Sequence, residues 1–386
     1  MVPGAGLYLH IPYCAALCHY CDFARVGETD PAVHRRYVAA LRADLIAVAA
    51  AGPRAVAPPD AGIPAGWPTF TSIFAGGGTP TLLPPGDLAG VLRLASEVLP
   101  IAHDAEVTVE ANPETVTSEG MATLVGAGLN RVSMGAQSFA AHVLDALGRW
   151  HDPGRPLRAL ADTRAAGVQR VNLDLIYGTP GERDVDWERS LRTVLDAGAD
   201  HVSAYALTVE PNTEYAARIG RGEALAPDED VQAVRMETAE AMLARAGLCR
   251  YEVSNWARPG HECRHNLTYW RGGNWLGVGA GAHGHWEGRR WWSVRAPARY
   301  TREALAGRTT TSGQEVLDAG ARRSERLLMG LRTVEGVERA EVEPVDEPAA
   351  TALVRAGLLH ADERRLRLTR QGLAMADAAT LRLLAA

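Results

Sequence analysis

Cysteine is scarce in this sequence: five residues in 386, an odd number without the spacing of a secreted disulfide framework. That excludes a stapled extracellular scaffold and predicts a chain kept in a reducing cytoplasm. Long apolar runs are lacking too. No window approaches the roughly 18 apolar residues that span a membrane, and no charged, apolar and small-residue regions of a secretory signal precede "LYLHIP". Nor is there an excess of positive charge. Forty basic residues against 46 acidic leave a net charge of −6, which argues against a general nucleic-acid binder. Aromatics make up only 6% of the chain, yet six of the nine tryptophans fall between Trp256 and Trp292.

What is present is alternation. Apolar, β-branched runs at Leu7–Ile11, Ser72–Ala75, Glu106–Glu110, Arg131–Met134, Arg170–Ile176 and His201–Leu207 read as strands, separated by stretches of helical period. In "DPAVHRRYVAALRADLIAV", Asp30 can cap, Pro31 suits the first helical position, and Tyr37, Leu41, Leu45 and Val48 recur on one face. Four segments, "AGLNRVS", "AGVQRVN", "AGADHVS" and "AGLCRYE", place Gly128, Gly167, Gly198 and Gly247 where a helix should stop in a left-handed turn before a strand. Repeated in this way, the pattern predicts βα units with parallel strands. An ordinary doubly wound sheet is the alternative. Polar or glycine residues after successive strands favour a partial (β/α)6 TIM-like barrel, in which strand C-termini share one face. "YEVSNW" could add a strand, and the Pro- and Gly-rich segment 51–68 reads as a surface insertion. The predicted organisation is a core barrel over residues 1–240, an extension over 241–310, and a small winged-helix-like domain over 311–386 suited to docking rather than DNA recognition.

Three of the five cysteines, Cys14, Cys18 and Cys21, stand within "YCAALCHYC". Thiolates at i, i+4 and i+7 can converge from one loop on one inorganic centre. Zinc is the simpler candidate, but structural zinc takes four closed ligands. No cysteine or histidine pair follows at matching spacing, although His19 or a distant residue could serve. A 4Fe–4S cluster takes one thiolate per iron, so three leave one iron open to a ligand from outside the protein. The next predicted strand ends in "GGGTP", where consecutive glycines let backbone N–H groups approach a carboxylate or amino-acid moiety. Alone, that triplet marks only a tight turn.

Together, "YCAALCHYC" and "GGGTP" resemble the radical S-adenosylmethionine superfamily. The resemblance implies a 4Fe–4S cluster on Cys14, Cys18 and Cys21, with the open iron taken by S-adenosylmethionine. Further segments from residue 7 to residue 270, among them "VEANPE", "RVSMGAQSF", "LGRWHD", "VNLDLIYGTPG" and "RHNLTYW", are similar to proteins related to oxygen-independent coproporphyrinogen dehydrogenase. By that resemblance Tyr8, Tyr20, Gly77, Gly78, Thr79, Glu110, Gln137, Arg149, Asp174 and Ala206 line the cofactor site, with Asp174 suited to a ribose diol. Glu110, Gln137, Asp174 and Ala206 also lie at or near predicted strand ends, where a shared site would need them.

Two departures separate the chain from the dehydrogenase. Phe23 stands where the dehydrogenase has a further cysteine, and Tyr8 lacks the long extension that precedes the dehydrogenase's first strand. Both match a haem chaperone branch, which shares the His-Asn-x-x-Tyr pattern of "RHNLTYW". That resemblance implies haem bound near His265 and Tyr269, a haem-accepting protein as partner, and an electron donor if radical chemistry occurs. An imidazole at His265 could ligate iron and a phenol at Tyr269 would share its helical face. Trp256, Trp270, Trp275 and Trp286 could stack on a porphyrin, and Arg258, Arg264 and Arg271 could meet its propionates. Cys263 adds a thiol two residues away. The plainer reading is that His and Asn tie loops together and the tryptophans pack. "GVGAGAHGHW", with His283 and His285, is a second glycine-rich turn nearby with no assigned role. Coproporphyrinogen decarboxylation, radical methyl transfer and a zinc-stapled scaffold are the alternative functions.

Overall fold

The computed structural model describes residues 4–59 and 62–384. Six strands, β1 (Ala5–Ile11), β2 (Phe70–Gly77), β3 (Ile101–Ala111), β4 (Arg131–Gln137), β5 (Arg170–Tyr177) and β6 (His201–Ala206), form where the β-branched runs predict them. All six are parallel and lie side by side in chain order. That order decides between the two architectures. A doubly wound sheet reverses its strand order at a switch point; within these six strands there is no such reversal, as in barrel-type winding.

The helices form for local reasons visible in the sequence. The helix Pro31–Ala51 starts where Asp30 accepts from the Ala32 amide, and it buries Tyr37, Leu41 and Leu45 against the sheet. Gly128, Gly167, Gly198 and Gly247 all have positive φ (+98°, +96°, +71° and +81°), the left-handed turn expected between helix and strand. Leu7, Leu9, Val107, Val109, Val132, Met134, Val171, Leu173 and Val202 alternate along the strands into one large apolar core beneath those helices.

The sheet continues beyond the barrel on both sides, to twelve strands. "YEVSNW" supplies not one strand but a hairpin, β7 (Cys249–Glu252) and β8 (Asn255–Ala257), with β8 antiparallel to β6. On the other side β9 (Trp275–Val278) returns parallel to β1. It is followed by the antiparallel β10 (His283–Trp286), β11 (Arg289–Ser293) and β12 (Thr311–Val316). The tryptophan-rich stretch is therefore largely sheet, and Trp256 and Trp286 are fully buried core residues. After β12, the helix Ala319–Gly330 opens a small domain. Its three-stranded antiparallel sheet (Val337–Glu338, Arg365–Leu368, Leu359–Ala361, in that order across the sheet) packs on short helices around its own core of Leu327, Leu353, Leu359 and Leu366.

Candidate functional site

The register of the parallel strands fixes what faces the barrel interior. Tyr8 pairs with Phe74, which pairs with Thr108, which pairs with Arg131; Ser133 pairs with Asn172, and Asp174 with Ser203. The face opposite the apolar core is thus strongly polar, and it holds a chain of side-chain hydrogen bonds. Asn172 Nδ2 lies within hydrogen-bonding distance of Asp174 (2.7 Å), Ser133 (2.8 Å) and Ser203 (2.9 Å), and its carbonyl oxygen meets His201 at 2.7 Å. Burial raises the Asp174 carboxyl and lowers the His201 imidazole. An interior this polar suits a ligand rather than a dry barrel core.

The cysteine loop crosses the C-terminal ends of these strands. It is pinned at its start and in its middle: the Gly78 and Thr79 amides donate to the carbonyls of Ile11 (2.7 Å) and Tyr13 (2.8 Å), and the His19 amide donates to the Leu147 carbonyl (3.1 Å). The glycine run allows that closeness. A Cβ on Gly78 would lie 2.7 Å from the Tyr13 carbonyl oxygen, and Gly77 has φ +111° with its Cβ position 2.4 Å from the His10 ring. Thr79 Oγ1 donates to Cys14 Sγ (3.7 Å), and Arg149 donates to Cys18 Sγ (3.4 Å) and to the Gly135 carbonyl (2.7 Å). Arg25 ties the loop to itself through the carbonyls of Cys18 (2.9 Å) and Cys21 (2.6 Å).

The residues predicted to line a cofactor gather around this loop. Glu110 accepts from the Gly77 amide (2.9 Å), and burial pushes its carboxyl up to about 7. Gln137 holds φ +64° at the end of β4, a left-handed conformation rare outside glycine. Its side chain and Arg149 both lie over Gly135, where a Cβ would be 2.7 Å from Gln137 Nε2. Tyr20 packs on the cluster of Ala140, Val143, Leu147 and Leu207. Ala206 ends β6 opposite Tyr177. His10 is the residue sequence reasoning missed. Its Nε2 lies 2.7 Å from the Ala24 carbonyl, which can only accept, so Nδ1 is left to accept from the Tyr8 hydroxyl at 2.9 Å. The signal was available, because "YLH" puts Tyr8 and His10 on one strand face.

Among the described residues, no three Cys, His, Asp or Glu side chains converge as ligands of a single metal ion would. A cubane instead spreads its thiolates over separate irons. Three thiols on one loop, two of them taking hydrogen bonds at sulfur, fit that group.

The helix Arg264–Trp270 lies at the opposite end of the barrel. Its N-terminal amides at Arg264 and His265 donate to Glu106 (3.2 Å each), a fully buried carboxylate with Arg131 beside it at 4.0 Å. His265 is 1% exposed, with Nδ1 on Ser72 Oγ (2.9 Å) and Nε2 on the Tyr269 hydroxyl (2.7 Å). It stacks on Phe74 with ring centroids 5.2 Å apart, and burial lowers its pKa to about 3. Cys263 is buried with its thiol pushed up to about 12. Trp256 and Trp286 lie in the core, and Arg264 and Arg271 pair with Asp104 (3.4 Å) and Glu335 (2.5 Å). The segment expected to offer iron a ligand faces inward, with both imidazole nitrogens engaged. It plugs the barrel floor and does not fit haem in this arrangement.

Residues 60–194 match the Radical SAM superfamily model and residues 317–375 the HemN C-terminal domain model. The chain is 46% identical over 98% of its length to the Heme chaperone HemW of Mycobacterium tuberculosis, covering 94% of that protein. It is 36% identical to the Heme chaperone HemW of Escherichia coli, over 88% of this chain and 85% of that one. The Radical S-adenosyl methionine domain-containing protein 1, mitochondrial, of Bos taurus is 34% identical, over 98% and 87%. Among solved structures, coproporphyrinogen III oxidase (HemN) from Escherichia coli superposes with a TM-score of 0.83 at 20% identity, over 100% of this chain and 91% of that one; at that identity the likeness is one of fold. Parallel strands wound in chain order, a polar interior under a three-cysteine loop and full-length identity to these relatives lead to one conclusion: the chain belongs to the Heme chaperone HemW family, within the radical S-adenosylmethionine superfamily.

Proposed function

We propose that this protein is a haem chaperone: it binds haem, carries a 4Fe–4S cluster with S-adenosylmethionine, and passes haem to an acceptor protein. The observation that carries the reading is identity of 46% along 98% of the chain to a protein named as a heme chaperone. Cys14, Cys18 and Cys21 would hold the cluster, which when bound supplies an iron open to the methionine moiety of S-adenosylmethionine.

The chain's own groups then have separable tasks. Thr79 and Arg149 donate to two of the sulfurs, the kind of contact that tunes a cluster's potential. Glu110 offers a carboxylate to an ammonium group, and Gly77 and Gly78 keep side chains out of the way. Asp174 offers its oxygens to a ribose diol. Tyr8 is held by His10, so its phenol keeps one orientation. A cytoplasmic location is part of this reading; no helix among the described residues is long and apolar enough to cross a membrane.

Coproporphyrinogen decarboxylation is the second reading, favoured by the shared fold. Phe23 speaks against it: the side chain is 62% exposed and offers no thiol at the position where the dehydrogenase has one. The test is anaerobic reconstitution with iron and sulfide, followed by haem titration and a porphyrinogen turnover assay. Haem uptake without turnover is expected; efficient decarboxylation would overturn the reading.

A further inference from the structure

Asp174 is the half-buried end of a hydrogen-bond relay whose other members have no task in the cofactor site as described so far. Asn172, two residues before it on β5, lies opposite His201 on β6, and His201 reaches Tyr251 on β7. Tyr251 in turn meets the backbone amide of Cys263, the residue that precedes the floor helix, at 3.3 Å. Asn172, His201 and Tyr251 are 2%, 2% and 6% exposed, so solvent has little access to these bonds.

The direction of each proton in the relay follows from its anchored end. A backbone amide can only donate, so the Tyr251 oxygen accepts from Cys263. The phenol's own proton has one acceptor among the described residues, His201 Nε2 at 2.8 Å. Burial, and then the Arg131 guanidinium, hold the His201 pKa well below its ordinary value, so the ring is neutral. Its single proton therefore sits on Nδ1 and is donated to Asn172 Oδ1 at 2.7 Å. With Oδ1 turned to His201, Nδ2 points to Asp174 Oδ1 at 2.7 Å, with Ser133 and Ser203 at 2.8 and 2.9 Å. Two N–H groups cannot serve three oxygens; the carboxylate, the closest of them, takes one. Ser133 Oγ adds a donation to Asp174 Oδ2 at 3.4 Å. Running the relay the other way would strand the Tyr251 proton and would require a protonated Asp174. The observed polarity favours the ionised carboxylate. Such a group has about four lone-pair sites, and those that the relay and Ser133 leave are open to a donor in the barrel interior.

We propose that Tyr251, His201 and Asn172 are positioning residues for S-adenosylmethionine, which hold Asp174 as a pure acceptor and so select a ribose diol over a deoxyribose. The proposal rests on the reading that this site takes S-adenosylmethionine. The test is calorimetric titration of the anaerobically reconstituted protein with S-adenosylmethionine and with its 2′-deoxyribose analogue. The unaltered protein should prefer the ribose form. Y251F removes one oxygen and leaves His201 Nε2 without a donor, which frees the imidazole to change tautomer and the Asn172 amide to turn over. It should bind S-adenosylmethionine about two- to tenfold more weakly, the net worth of a hydrogen bond, and lose most of the preference for ribose. H201F should do the same. H201Q should keep both affinity and preference, because an amide can accept from Tyr251 and donate to Asn172 as the imidazole does. An unchanged ratio of the two affinities in Y251F and H201F would overturn the proposal, because a merely structural role weakens both ligands alike. H201Q as impaired as H201F would refute the polarity, and no ribose preference in the unaltered protein would refute the selection. If H201F fails to fold, Y251F, which deletes a single heavy atom, decides alone. If the unaltered protein binds neither ligand, the cofactor reading falls and the proposal with it; binding with an unchanged ratio refutes only the relay.

Discussion

Replacing His265 by Ala separates the two roles open to this residue. In the fold its imidazole bridges Ser72 and Tyr269 and stacks on Phe74, all within a buried floor. Removing it deletes two hydrogen bonds, each contributing about 0.5–1.5 kcal/mol net, and leaves two hydroxyls short of a partner. It also opens a ring-sized cavity. Together these effects suggest a loss of about 3–5 kcal/mol, a large share of the roughly 5–15 kcal/mol typical of folded domains. The entropy of unfolding scales as about 2.1 cal/mol/K per residue, so the melting temperature should fall by about 4–6 °C for a chain of this length. There is also a pH signature. Because the folded pKa lies at about 3, below the ordinary 6.5, the unfolded chain binds the extra proton between those values. His265 therefore contributes stability in full above about pH 6.5 and loses it as pH falls toward 3. The acid side of the stability profile should be less steep in H265A. Circular dichroism melts across pH 4–8, run beside haem titrations, measure both. Unaltered melting with lost haem affinity would refute the structural role and make His265 a ligand.

Single alanine substitutions of Cys14, Cys18 and Cys21 should each abolish cluster assembly, read as iron and acid-labile sulfide after anaerobic reconstitution. G77A should destabilise by more than about 1 kcal/mol, because φ +111° and the His10 ring both oppose a side chain; an unchanged denaturation midpoint would count against the tight apposition of β2 and the loop. E110Q should weaken S-adenosylmethionine binding. In the unaltered protein that affinity should rise with pH through about 7, as Glu110 loses its proton, and the rise should vanish in the variant. Calorimetric titration at pH 6 and pH 8 decides it. H10A should free the Tyr8 phenol and lower S-adenosylmethionine affinity while iron content is retained; full affinity would remove His10 from the positioning network.

Local chemistry made much of this protein legible in the sequence. β-branched runs, an Asp-Pro helix start and a repeated helix-stopping glycine act over a few residues, so the six parallel strands and their connecting helices could be read directly. Three cysteines in eight positions and a glycine triplet likewise advertise a site without any fold, and the family resemblance adds Glu110 and Asp174, which stand at or near predicted strand ends. What the sequence left open depends on partners far away in the chain. β9 joins β1 across 269 residues of sequence (Gly6 opposite Trp275), so much of the tryptophan-rich stretch became sheet, with Trp256 and Trp286 in the core. The side of the barrel on which "RHNLTYW" docks was settled by Glu106, a carboxylate on β3 that captures the helix's N-terminal amides. A histidine on a short amphipathic helix reads the same whether it faces solvent or a barrel floor. Only the packed structure decides which imidazoles are spent on internal hydrogen bonds and which remain free to bind a metal.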